Sequence, residues 1–113
     1  MERVSEQIIT PWGPAQTAEK ITPGITFYST ASHGGYHLTA PMNAKVPAVL
    51  KRASFCGQGL KGWYEEDCDW AIVVYTFKEH FDEKHYLAAV DSLKSYHAEA
   101  WDRINQKAKR RRS

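Results

Sequence analysis

Tyr86, Val90, Leu93, His97, Ala100 and Ile104 recur at spacings of four, three, four, three and four residues. That is the period of one face of an α-helix. Asp82, just ahead of the stripe, is a good N-cap. The spacing predicts a long C-terminal helix, with Trp101 widening its apolar face and its end fraying into a basic tail. Such a helix must bury its stripe against another layer. A chain of 113 residues holds one core, so the preceding segments must supply that layer.

They read as strands and short helices. Ile25-Thr26-Phe27-Tyr28-Ser29-Thr30 alternates and is rich in β-branched and aromatic residues, a strand pattern. Pro23-Gly24 before it marks a type II turn, with glycine supplying the positive φ. Tyr36-His37-Leu38-Thr39 resumes the strand pattern, so the expected unit is a β-hairpin with Ala31-Ser32-His33-Gly34-Gly35 as its loop. Pro11-Trp12-Gly13-Pro14 reads as a rigid turn carrying an aromatic anchor, and Thr17 to Ile21 is too short to assign. A short helix is expected from about Lys45 to Ala53, with Pro47 in its first turn. The glycine-rich stretch from Cys56 to Gly62 reads as a loop. Trp63 to Phe77 is contested. Ile72-Val73-Val74-Tyr75 favours a strand by propensity, whereas four carboxylates just ahead favour a helix N-terminus; the expectation is helix. The fold class that results is α+β: a small β-hairpin or short antiparallel sheet packed against two or three helices. Residues 11–106 form the domain, after a loosely ordered 1–10 and before a basic tail at 107–113.

Charge narrows the function classes. The net charge is +2, but Lys107, Lys109, Arg110, Arg111 and Arg112 crowd the end of the chain. Without them the body holds ten Lys and Arg against thirteen Asp and Glu, a net of −3. An electrostatic nucleic-acid binder shows a basic face, so direct nucleic-acid binding is not expected of the body. Two cysteines are too few for a disulfide scaffold. The first residues lack the apolar core of a signal peptide, and the longest apolar run, Trp70 to Tyr75, is far too short to span a membrane. The expected location is cytoplasmic, with both thiols reduced. Four Trp, six Tyr and four Phe are read chiefly as core.

Two segments carry distinctive chemistry. His33, in Ser32-His33-Gly34-Gly35, sits on a hairpin loop where a base, a ligand or a contact residue would be accessible. Ser-His-Gly also surrounds the catalytic His of caspase-like cysteine proteases, a match of three residues that carries no activity by itself. The alternative is a His that merely caps a backbone group. The second segment is Glu65-Glu66-Asp67-Cys68-Asp69. Its carboxylates suit a hard cation, the orienting of a His, or the capping of their own helix, and capping is favoured. Asp67 or Glu66 reaching His33 would fix one imidazole tautomer. With Cys68 alongside, His33 and Asp67 are the catalytic candidates. Acids beside a thiol disfavour its thiolate, however, so Cys68 reads as structural and no catalytic residue is assigned. Cys56, in a flexible loop, could pair with His33 as a dyad, although nothing in the spacing demands it. No zinc spacing, phosphate loop or dinucleotide fingerprint occurs. His80 and His85, five apart, do not share a helical face, so neither metal nor cofactor is expected.

Pro11-Trp12-Gly13-Pro14-Ala15-Gln16, Pro23-Gly24-Ile25, Ser29-Thr30-Ala31-Ser32-His33-Gly34-Gly35 and Tyr64-Glu65-Glu66-Asp67-Cys68-Asp69-Trp70-Ala71 together resemble an uncharacterised family of small proteins carried on proteobacterial plasmids, phages and integrated elements. The resemblance spans roughly residues 11–81. It implies a context, that of accessory or anti-defence factors including anti-CRISPR proteins, and transfers no catalytic residue.

Three functions follow as expectations. The first is a protein that binds and blocks a host complex, such as a CRISPR effector or another nucleic-acid-binding defence protein. Its surface is built from His33, Trp63, Tyr64, Glu65, Glu66, Asp67 and Asp69, because carboxylates compete for the Lys and Arg that grip nucleic acid. The second is a small hydrolase or metal-dependent enzyme using His33 with Glu65–Asp69, which requires the two segments to meet. The third is nucleic-acid binding through the basic tail.

Overall fold

A computed structural model describes residues 2–3 and 8–112, with side chains over 8–105. Among the described residues, seven strands and five α-helices follow one another as β1 (Glu2–Arg3), β2 (Ile9–Thr10), β3 (Gly13–Pro14), β4 (Thr17–Thr22), β5 (Ile25–Ser29), β6 (Gly34–Leu38), α1 (Ala40–Asn43), α2 (Ala48–Ala53), β7 (Trp63–Glu65), α3 (Trp70–Thr76), α4 (Glu83–Tyr96) and α5 (Ala98–Arg112). The fold is α+β. One antiparallel sheet has the order β1-β4-β5-β6-β7, and β2 and β3 form a separate two-stranded ribbon. Of the loosely ordered N-terminus expected over 1–10, residues 1 and 4–7 lie outside the described residues. The charged side chains of the basic tail lie outside them too; the helix backbone runs on through the tail to Arg112.

Period-two alternation decides the two faces of the sheet. Phe27 pairs with Tyr36 and Tyr36 with Tyr64, while Ile25 pairs with Leu38. These side chains share the face that meets the helices. Ile25, Tyr36, Leu38 and Tyr64 are buried there with Leu50 of α2, Ala71 to Val74 of α3, and Ala89, Leu93 and Ala100 of α4 and α5. Thr26, His37 and Trp63 line up across the same strands on the opposite face, as do Tyr28, Gly35 and Glu65. Among the described residues, no α-helix residue makes a ring contact with Trp63.

The contested segment divides in two. Residues 70–76 are helix, as expected, and four consecutive residues, Ala71 to Val74, are fully buried. A helix buried on nearly every side needs no polar face, which is why its β-branched run is tolerated. Trp63–Glu65, however, is a strand added to the sheet edge beside β6. The expected long C-terminal helix is also corrected. Its stripe faces inward, and Asp82 caps it by accepting the His85 N–H at 2.6 Å, but the backbone leaves the helix at His97 (φ −132°, ψ 43°). The expected helix over 45–53 begins later, at Ala48, and the glycine-rich loop is wound into 3-10 turns over Phe55–Lys61. Gly24 takes the anticipated positive φ, 94°.

Tyr64 was expected on the surface and is instead fully buried. Its ring lies on the core face, and its hydroxyl donates to Asn43 Oδ1, while Asn43 Nδ2 donates to Gly59 O at 2.8 Å. Burial, with the charge of Asp69 in second place, raises its pKa well above the ordinary phenol value. Tyr64→Phe strips a buried acceptor of its donor and should lower the unfolding free energy by about 1–3 kcal/mol; urea denaturation at constant m-value is the measurement.

Candidate functional site

Pairing of β7 with β6 brings the two chemistry-bearing segments together. Gly35 sits opposite Glu65, so the hairpin tip ahead of Gly34 projects beside the turn that follows Glu65. The Glu66 N–H donates to Gly34 O at 2.9 Å and locks that proximity. Thr30 shapes the tip: its Oγ1 donates to His33 O at 2.6 Å and accepts the His33 N–H at 3.0 Å. Thr30 does the backbone capping, and the His33 ring is left 51% exposed. Gly34 and Gly35 belong to β6 and not to the loop, contrary to the expected boundary.

The acidic turn is built by its own first carboxylate. Glu65 Oε2 accepts the N–H groups of Asp67 and Cys68 at 2.9 and 3.0 Å. Its side chain is only 10% exposed, and Oε1 lies 3.7 Å from His33 Nδ1. Asp67, 72% exposed, places Oδ2 4.0 Å from the same nitrogen. One ligand atom from each of His33, Glu65 and Asp67 thus falls within 4.8 Å of the others. Trp12, Phe55 and Cys68 join them around a cavity of about 220 Å³. Trp12 reaches it from the turn between β2 and β3, where its N–H donates to Thr10 Oγ1. Neither Trp12 nor Phe55 was among the expected site residues; both become neighbours of His33 only through tertiary packing.

Contrary to the expectation of helix capping, the acids do not cap α3. No side chain caps that helix. Asp69 is fully buried instead of exposed for recognition. Its Oδ2 accepts the Phe55 N–H at 2.7 Å, and its Oδ1 lies 3.4 Å from His97 Nε2, which also contacts Cys68 O at 2.9 Å. The hydrogen bond to Asp69 raises the His97 pKa above the ordinary imidazole value, with burial opposing. Cys68 is half-buried, and burial followed by the charges of Glu65 and Asp69 pushes its thiol up. This environment does not favour a thiolate nucleophile. Cys56 is exposed, in a left-handed turn (φ 51°).

From this cluster a row of rings runs along the helix-free face of the sheet. Trp12 meets Trp63 edge-on at 5.8 Å, and Trp63 contacts Tyr28 at 5.9 Å and His37 at 4.4 Å between ring centroids. All four residues are half-buried. Burial lowers the His37 pKa, which favours a neutral ring in the row. Trp63 is half-buried on that face, and exposed Asp67 stands at its acidic end, lining the His33 cavity with Trp12; the Glu66 carboxylate lies beside Gly34 and Phe27, on the side of the sheet that meets the helices.

No helix among the described residues is long and apolar enough to cross a membrane. The chain belongs to the DUF7007 family, described as a domain of unknown function, whose model matches residues 5–113. No curated protein and no solved structure matches it.

Proposed function

We propose that this DUF7007 protein works by binding another protein through the helix-free face of its sheet. The observation that carries this reading is the half-buried row of Trp12, Trp63, Tyr28 and His37 ending at the carboxylate of Asp67. Aromatic rings supply contact area with few rotamers to freeze, and Trp and Tyr dominate binding hot spots. The acidic end selects a basic partner surface, the kind that otherwise holds nucleic acid. A host defence complex such as a CRISPR effector has that chemistry, and the chain would act on it as an inhibitor by occupying its Lys and Arg.

The test is affinity against purified nucleic-acid-binding defence complexes, with charge-reversed Asp67→Lys as the control. That side chain is exposed, so the melting temperature should hold. A partner bound by the wild type should lose at least about tenfold in affinity to the variant, because like charges at an interface cost several kcal/mol. Equal affinity of both proteins for that partner would reject the acidic end as a determinant.

The meeting of His33 with Glu65 and Asp67 favours a second reading, since a metal-dependent or hydrolytic site requires it. In that reading Cys68 is not the nucleophile, and the reactive chemistry would belong to a bound cation.

A further inference from the structure

We infer that His33, Glu65 and Asp67 form a binding site for one first-row divalent transition cation of the Mn²⁺ and Zn²⁺ type. This goes beyond protein binding and does not depend on it. Three observations converge. The donor set is mixed, one imidazole nitrogen with two carboxylates, all within 4.8 Å. Imidazole with carboxylate suits Zn²⁺, Mn²⁺ and Fe²⁺, whereas all-oxygen sets suit Ca²⁺ and Mg²⁺. Glu65 is nine-tenths buried, with Oε2 fixed by two backbone N–H groups and Oε1 turned toward His33. A carboxylate withdrawn from water in that way gains most from a cation. The cavity that Trp12 and Phe55 wall off beside it, about 220 Å³, leaves room for the ion and its remaining ligands.

Closure onto an ion is a small movement. Metal–ligand bonds of about 2.0–2.2 Å put neighbouring donors roughly 3 Å apart. His33 Nδ1 is already 3.7 Å from Glu65 and 4.0 Å from Asp67. Glu65 is the anchored ligand, while His33 and Asp67 are exposed and free to move onto it. Backbone contacts hold both near their places: Thr30 at His33, and Glu65 itself at the Asp67 N–H. Three protein ligands leave at least one position open to water or to a donor from a bound molecule, the arrangement of catalytic rather than structural sites.

The experiment is calorimetric titration of the full, metal-stripped chain with Zn²⁺ and separately with Mn²⁺, repeated on His33→Ala and Asp67→Asn. Both substitutions fall on exposed side chains, and thermal melts before titration confirm folding. One equivalent per chain should bind the wild type. Each variant should bind at least about tenfold more weakly. Paramagnetic Mn²⁺ should also quench tryptophan emission in the wild type more than in Trp12→Phe. Absence of stoichiometric binding up to millimolar ion overturns the inference, as does unchanged affinity in both variants. Either result leaves the docking face untouched, because its test uses no metal.

Discussion

Asp69→Ala should cost about 3–5 kcal/mol of stability, the range seen when one member of a buried ionic pair is removed. Asp69 is completely enclosed. Its loss strands the Phe55 N–H, which it accepts at 2.7 Å, and leaves His97, 8% exposed, without its carboxylate. Asp69→Asn separates the two contributions, since an amide oxygen still accepts from Phe55 but offers His97 no charge; its cost should be smaller. Chemical denaturation of the three proteins measures both. The same pair fixes a pH dependence. The folded-state His97 pKa lies above the ordinary value of 6.5, chiefly through the Asp69 hydrogen bond. Protonation therefore favours the folded state. Its contribution is complete below the unfolded value and disappears as pH rises through the folded one. His37, whose pKa burial lowers, pulls the other way, so the His97 contribution is read as a difference: the stability of the wild type relative to His97→Gln should decline from about pH 6 upward. A difference that rises over the same interval would mean that His97 is buried neutral.

Gly35→Ala should be the most disruptive glycine substitution on the sheet. A Cβ there would lie 2.4 Å from the Trp12 ring and 2.4 Å from the Tyr64 carbonyl oxygen. Trp12 could swing aside, but the carbonyl belongs to the paired strand, so β6 and β7 must separate. Overpacking of this kind costs about 1–3 kcal/mol and occasionally more. For a domain near this size a loss of 2 kcal/mol lowers the melting temperature by about 10 °C. The displaced Trp12 should shift tryptophan emission to longer wavelength. A variant with wild-type melting and emission would show that the strand edge yields without cost.

These sites also mark where local sequence reading succeeds. The alternation of Ile25 to Ser29 and the stripe from Tyr86 to Ile104 are repeated signals, each carried by several residues, and both correspond to observed elements. Trp63 to Glu65 offered only three residues, less than two periods of a strand, beside carboxylates that resemble a helix start. What makes it a strand is β6, distant in sequence. The break at His97 has no glycine or proline to announce it; a buried acid and a carbonyl on another element hold the ring there. Gly34 and Gly35 looked like turn residues, whereas the structure needs them small because neighbouring atoms approach closely. His33 was visible as accessible, and Glu65 and Asp67 as acidic. Their meeting was not legible, because it follows from the strand pairing that local propensity missed.

Asp69 ties together parts of the chain that are made at different times. Its partner at Phe55 precedes it by 14 residues, while His97 follows the neighbouring Cys68 by 29. A domain folds as a unit, so this enclosure closes only when residues from all three stretches are together. The segment around His97 therefore serves as a latch: it brings to the buried carboxylate the ring that faces its second oxygen.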